Sequence, residues 1–477
     1  MIKRRLSALL ALVLLPLSVH AADFVTVYRD AVECDPKFKA AQAEFQAIRR
    51  ELPISIANFL PQVALQGRLA SINQENTNNN IFEGDGKFHN EIVEYSLRVN
   101  QSVFNYANWA LLGQADFTVK QAAANLCAAV QDLIIRTATA YFQVVNASED
   151  LRFTRAEKAS IKRELDQNTE RYRVGLIAIT AVYDAQASYD AVVAREVASM
   201  NAFADRIEEL REITGKSYPT LMSVGKDFPL VRPTPANIEQ WVCTAGRQNY
   251  TLEAARYASL VARENIKLQF SGHLPVVNGA ANFDYNNQSD FLNNGFSKSK
   301  AVILELNGTL PIYNGGAVNA KTCQARFAYL QAVANEEAVR RNVVSRTRKA
   351  YMGVISGISQ IHADKQAIVS RANELDATRA AYDVGTRTMV DVLNSQSKLY
   401  DTQRLFVRDQ YIYLAQTLLL KQQAGTLTAE DVCQLNRWFK KPEKMISYNE
   451  LGNIHIEAHS IPEQLSDKDL SKTPTPP

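Results

Sequence analysis

Landmarks in the first half of this chain return about 210 residues later, so one unit is present twice. Arg136-Thr137 with Ala140-Tyr141 recurs as Arg346-Thr347 with Ala350-Tyr351, and Tyr172-x-Val174-Gly175 recurs as Tyr382-x-Val384-Gly385. Leu60-Pro61 answers Leu274-Pro275, and Ser102-Val103 with Tyr106 answers Thr309-Leu310 with Tyr313, at offsets that imply small insertions. A unit of about two hundred residues is far longer than the roughly 20–50 of stacked repeats, so each copy must hold several elements. The expected division is 22–214 and 236–427, joined by a connector at 215–235 that carries Pro219, Pro229, Pro233 and Pro235.

The start of the chain reads as an export signal. Lys3, Arg4 and Arg5 precede an apolar stretch from Leu6 to Val19, and Val19-x-Ala21 offers a small-residue cleavage site, which makes 1–21 a secretory signal peptide. A membrane anchor is the competing reading, but this stretch is shorter than the ~20 residues of a spanning helix. No later segment has 18 consecutive apolar residues, so the exported chain can enter a membrane only with strands. A net charge of +3 over 477 residues points to no nucleic-acid partner. The five cysteines show no framework spacing: Cys127 and Cys323 are expected as small buried residues, while Cys34, Cys243 and Cys433 leave disulfides open.

Four segments alternate with the period of a strand. Val63, Leu65, Gly67 and Leu69 alternate with Gln62, Gln66 and Arg68; Val93, Tyr95, Leu97 and Val99 alternate with Glu94, Ser96, Arg98 and Asn100. The second copy repeats this with Val277, Ala281, Phe283 and Tyr285, then Val302, Leu304 and Leu306. Strands are expected at about 61–71, 92–103, 275–286 and 300–311, each close to the 9–11 residues of a tilted membrane strand. Asparagine-rich stretches (Asn76, Asn78 to Asn80; Asn286, Asn287, Asn293, Asn294) read as solvated hairpin loops. A soluble sheet with one wet face gives the same alternation, but the signal peptide and the shortage of other strands weigh against it. Four strands cannot close a barrel, and open edges are not tolerated in lipid, so closure needs further copies of the chain.

Between the strand pairs lie very long helical patterns. No proline occurs from about Ala107 to Arg173, where Ile134, Ala138, Tyr141 and Val145 step along one face, and Ala317 to Asp383 repeats the pattern. Such a span reaches about 100 Å. Val174-Gly175 and Val384-Gly385 break the runs, and returning helices are expected over about Ala181 to Ile213 and Val390 to Gln423. On the latter, Val392, Leu399, Phe406, Tyr413 and Leu420 recur every seventh residue, the coiled-coil period. From 428 to 477 the pattern fades into a proline-bearing segment read as a mobile C-terminal tail; its His455 and His459 have helical i, i+4 spacing but no companion ligands.

Taken together, Val174-Gly175-Leu176 with Ile179-Thr180, Val384-Gly385-Thr386-Arg387-Thr388 with Val390-Asp391-Val392-Leu393, Leu310-Pro311-Ile312-Tyr313 with Gly315-Gly316, and Gly425-Thr426-Leu427 resemble the TolC family of outer-membrane efflux channels. The resemblance covers about Ala22 to Leu435. It implies an α+β membrane protein: a homotrimer whose twelve-stranded barrel sits in outer-membrane lipid and continues into a periplasmic α-helical tunnel. It also implies a periplasmic adaptor and an inner-membrane efflux pump or type I secretion transporter as partners. At the tunnel entrance, Asp391 matches the first aspartate of a selectivity ring, whereas Asn394 stands where the family has the second. Tyr382 and Arg387 match gate residues that bond an aspartate just after Thr180, and here that position is Ala181. Asp184 and Asp383 stand as alternative partners for Arg387. Gly175 and Gly385 match the tip turns that dock the adaptor.

No phosphate loop, His-Glu-x-x-His or nucleophile elbow is present, so no enzymatic activity and no cofactor are expected. The resulting expectation is a passive exit duct for drugs, secreted proteins or both. The alternative is a structural coiled-coil envelope protein without transport activity.

Overall fold

The computed structural model of the chain describes residues 22–76, 86–225, 228–290 and 295–440. The expected signal peptide, Asn78 to Asn80, Asn293 and Asn294 of the expected hairpin loops, and the His455–His459 pair lie outside these residues, whereas Asn76, Asn286 and Asn287, also expected in those loops, lie in paired strands.

One element series occurs twice. In the first half, α1 (Phe24–Cys34), α2 (Pro36–Ile48) and α3 (Glu51–Ala57) lead into β1 (Gln62–Asn76) and β2 (Gly86–Asn105), then α4 (Tyr106–Arg173) and α5 (Ile179–Thr214). A connector carrying β3 (Ser223–Val224) leads to α6 (Ile238–Gln248), α7 (Tyr250–Phe270), β4 (Val276–Asp290), β5 (Gly295–Thr309), α8 (Ala317–Asp383) and α9 (Met389–Ala424). Last come α10 (Ala429–Asn436) and β6 (Phe439–Lys440). The long helices α4 and α8 have 68 and 67 residues, and α5 and α9 have 36 each. At 1.5 Å per residue α4 and α8 each span about 100 Å.

β1, β2, β4 and β5 form one antiparallel sheet in that order, leaving β1 and β5 as unpaired edges. The register sorts side chains by chemistry. Val63, Val99, Ala281 and Leu304 form one cross-strand row, and Leu65, Leu97, Phe283 and Val302 the next, all on one face. The opposite face carries Gln66, Ser96 and Asp284 in one row and Arg68, Glu94 and Asn286 in another, with Arg68 and Glu94 3.6 Å apart. The strands run longer than the alternation predicts, 15 residues for β1, β4 and β5 and 20 for β2. Backbone pairing continues past the apolar band because a hydrogen-bond ladder does not require apolar side chains, whereas the alternation marks only the half-apolar part.

Below the sheet, the helices pack through the stripes seen in the sequence. Ile134, Ala138, Tyr141 and Val145 are all buried, as are Val392, Tyr413 and Leu420. Around the middle of α4, both repeats, the connector and the C-terminal elements share one core, in which Phe24 lies 5.3 Å from the Tyr141 ring and Phe142 stacks on Phe439 at 6.1 Å. Tyrosine hydroxyls tie the connector down. Tyr141 donates to the Met222 carbonyl at 2.7 Å, and Tyr413 donates to the Val231 carbonyl at 2.9 Å while accepting from the Val231 amide.

Of the tail expected over 428–477, this core corrects residues 428–440, while 441–477 lie outside the described residues. Thr428 and Asp431 form a capping box for α10, Val432, Leu435 and Phe439 are buried, and Val224 of β3 pairs with Phe439 of β6. Eight helical residues are too few to display a periodic stripe, but Thr428-x-x-Asp431 is itself a helix-start signal. Cys127 and Cys323 are also corrected. Both are exposed, because the barrel-proximal parts of α4 and α8 are covered on only one side within a single copy. All five cysteines are free thiols.

Candidate channel entrance

The end of the molecule farthest from the sheet holds the two tip turns. Val174-Gly175-Leu176 and Val384-Gly385-Thr386 close α4 and α8 with the same hydrogen bonds: Gly175 N–H to the Tyr172 carbonyl and Leu176 N–H to Arg171, then Gly385 N–H to Tyr382 and Thr386 N–H to Ala381, each 2.9 Å. Both glycines have positive φ, 75° and 79°, and a Cβ at either would meet no atom within 4 Å. Glycine is required there by the left-handed turn alone. Val174, Leu176 and Val384 stand exposed around it.

Asp391 begins the returning helix α9 as the third residue of a capping box. Its carboxylate accepts from the Thr388 amide at 3.0 Å and the Thr388 hydroxyl at 2.8 Å, and the Thr388 hydroxyl accepts from the Asp391 amide at 3.3 Å. The Thr388 backbone bond, then the hydroxyl bond, and finally the positive charge of Arg387 hold its pKa below the ordinary carboxylate value. Asn394, one turn on, is exposed.

Of the gate positions, Tyr382 and Ala181 come together in one apolar cluster. Ile161, Leu165 and Val192 of the first repeat meet Leu375, Met389 and Val392 of the second there, with Ala181 and Tyr382 packed at the margin. The Tyr382 hydroxyl is buried and accepts or donates no hydrogen bond among the described residues. Arg387 has its nearest carboxylate in Asp391, at 3.9 Å, so neither sequence-level alternative partners it. Asp383 instead meets Arg171 at 3.4 Å, an ion pair across the two tips, and Asp184 makes no ion pair among the described residues. Thr180 is exposed.

One site went unforeseen. Farther up the helices, Glu157 of α4 is completely buried and is held by Arg195 of α5 at 3.1 Å and by a very short contact from Arg404 of α9. Arg404 also reaches Asp150 at 3.2 Å and Asp401. A carboxylate so deep persists only when paired, so this cluster clamps both repeats together. Only the burial of Glu157 was legible, since it falls on the buried stripe Thr154, Ile161, Leu165 at helical spacing, while its distant partner Arg404 was not.

No helix of the described residues is long and apolar enough to cross a membrane. An amphipathic sheet open at both edges and fused to helices about 100 Å long defines a protomer of an outer-membrane channel, whose helices extend into the periplasm. Known proteins agree. The chain belongs to the outer membrane efflux protein family, whose pattern matches residues 27–216 and again residues 241–426. It is 36% identical over 430 residues to the outer membrane protein TolC of Vibrio cholerae, covering 90% of this chain and 96% of that one. With the proteases secretion protein PrtF of Dickeya chrysanthemi it shares 25% identity over 451 residues, covering 91% and 96%. In fold it is similar to the outer membrane protein VceC of Vibrio cholerae, with a TM-score of 0.72 at 18% identity, covering 84% of this chain and 96% of that one.

Proposed function

We propose that three copies close a twelve-stranded barrel and that the resulting tunnel is the passive exit duct of a tripartite export system, without catalysis of its own. The supporting observation is the sheet: one apolar face, one polar face and two unpaired edges. In lipid both edges must be paired, and β5 of one copy against β1 of the next does so with closed symmetry. Relatives named for efflux and for protease secretion support drugs and proteins as cargo, delivered by an inner-membrane pump or secretion transporter. A periplasmic adaptor docks at the exposed tips around Gly175 and Gly385.

The entrance reading places three Asp391 carboxylates around the axis, where they favour cations. Each is also a helix cap beside Arg387, so the ring is partly neutralised. Tyr382, Ala181 and Thr180 form the gate, which in this chain closes mainly by apolar packing. Reversal potentials across a salt gradient in a planar bilayer test the reading. Discrete cation-selective conductance is expected, weakened by Asp391→Ala and strengthened by Asn394→Asp. Its cation preference should fade in acid as the ring protonates, the Thr388 bonds lowering and the neighbouring carboxylates raising the pH at which this happens. Absence of discrete conductance would favour the structural envelope protein.

A further inference from the structure

On β4 and β5 the apolar face of the sheet gives way to a row of different chemistry, while on β1 and β2 it continues one row farther through Leu69 and Val93. Gly67, Tyr95, Tyr285 and Lys300 lie side by side across the four strands, directly beyond the row of Leu65, Leu97, Phe283 and Val302 and on the side away from the helices. The rings of Tyr95 and Tyr285 stack at 5.9 Å, and Tyr95 covers Gly67 at 3.8 Å from its Cβ position. Two residues farther along β5, Lys298 projects to the same face. Both lysines are exposed, and neither makes an ion pair or hydrogen bond among the described residues.

Along β5, distance places Lys300 at the outer boundary of the bilayer. The exposed Leu310, just past β5, and Lys300 are ten residues apart, about 34 Å along an antiparallel strand and about 26 Å along the membrane normal at the usual ~40° tilt. That equals the ~25 Å apolar band of outer-membrane barrels, with tyrosines at its edge as an aromatic girdle. A lysine on the lipid side at that depth extends its ammonium to the headgroup level. Two such ammonium groups, about 7 Å apart along β5 and unpaired among the described residues, suit a polyanionic headgroup rather than a zwitterionic one.

We propose that Lys298 and Lys300, backed by Tyr95 and Tyr285, form a binding site for a phosphorylated glycolipid of the outer leaflet, the phosphates on the lysines and an acyl chain along Val302 and Leu304. The site rests on the sheet being embedded in lipid. It deepens the channel reading by assigning this protein a preferred lipid.

The test uses the intact detergent-extracted assembly in native mass spectrometry, titrated with bisphosphorylated lipid A, its dephosphorylated form and phosphatidylethanolamine. Wild type is expected to retain the bisphosphorylated lipid preferentially. Lys300→Gln should weaken that retention about fivefold and the Lys298→Gln/Lys300→Gln pair about twentyfold, from the field of an anionic surface on each lysine. Arg98→Gln, on the opposite face of the sheet, should leave it unchanged. Planar-bilayer conductance of the same variants separates this idea from the channel reading, since both lysine variants should still form channels. Equal retention of phosphorylated and dephosphorylated lipid, or wild-type retention by the double variant, overturns the proposal. Competition by millimolar inorganic phosphate that fully releases the lipid does so too, because it would show the lysines to be a generic anion patch.

Discussion

The two repeats share a backbone plan but differ in what holds each corresponding point. Asp35 lies between α1 and α2 and Asn249 between α6 and α7, and each caps the following helix, Asp35 accepting from Phe38 N–H at 2.9 Å and Asn249 from Leu252 N–H at 3.0 Å. The aspartate then takes a paired bond from Arg136 of α4, whereas the matching Arg346 of α8 makes no ion pair among the described residues. At the far side of the same junctions, Gly215 and Gly425 end α5 and α9 with positive φ, 65° and 76°. Halfway along the helices, the hydroxyls of Thr154 and Ser199 sit 3.5 Å apart in the first repeat, while the corresponding positions of the second are Asp364 and Asp409. Duplication therefore fixes where a contact is made, and divergence decides which chemistry makes it.

The sharpest asymmetry is at the glycines. A Cβ at Gly425 would lie 2.1 Å from the Gln248 carbonyl oxygen, whereas one at Gly215 would meet only the Cys34 side chain at 3.6 Å. Gly425→Ala is expected to cost about 3 kcal/mol or more, since backbone must move. Gly215→Ala should cost only the roughly 1–2 kcal/mol of a left-handed alanine. Equal shifts in the thermal midpoints of the two variants would erase this difference.

Next in size is the capping pair. Burial opposes ionisation of Asp35, yet the Arg136 bonds and the Phe38 amide outweigh it and hold the carboxyl below its usual range. A depressed pKa contributes stability above the unfolded value of about 4 and loses it as pH falls through the folded one. Asp35→Asn should therefore cost about 2–3 kcal/mol at neutral pH, with the deficit shrinking in acid, because it strands part of a buried pair. Arg346→Gln, its counterpart test in the second repeat, should change stability by less than about 0.5 kcal/mol. Unfolding midpoints across a pH series check both.

The carboxylates of the second repeat should behave oppositely. Burial, followed by the Asp409 charge, raises the Asp364 pKa, even though Gln360 donates a 2.9 Å bond to it. A raised carboxyl pKa favours the fold below the unfolded value and costs stability as pH rises through the folded one. Asp364→Asn is thus expected to stabilise by about 1 kcal/mol at neutral pH and to lose that gain in acid. A destabilised Asp364→Asn at neutral pH would mean that the ionised pair is held by contacts beyond this copy.

The smallest effect is expected at the tips. Ala181→Asp in the first repeat would add a carboxylate to the apolar cluster that Tyr382 also borders, whose hydroxyl has no hydrogen bond among the described residues. Single-channel recordings should show fewer openings by a fewfold, with unitary conductance unchanged. An unaltered open probability would separate Ala181 from gating.

What the sequence revealed followed from period and repetition. Alternation at Val63 to Leu69 and Val302 to Leu306 located the sheet, and the glycines of Tyr-x-Val-Gly located both tips, because each signal is local. The Arg171–Asp383 tie, the Glu157–Arg404 clamp and the Asp391–Arg387 pairing were hidden for the opposite reason. The first two join residues more than two hundred positions apart, and the third depends on which rotamer a solvated arginine adopts. Asp391 was visible as an early helical acid and as a family match, but its capping bonds with Thr388 emerge only from the fold.

The unpaired edges of the sheet have a genetic consequence. The proposed barrel of three copies would have no partial credit, since one faulty β1 or β5 would leave an unclosed seam in an assembly whose other two copies are intact. When intact and edge-defective chains are made in equal amounts and mix at random, only about one assembly in eight holds three sound copies. Edge-strand lesions in this protein are therefore expected to be dominant, and lesions in the helical interior of a single copy recessive.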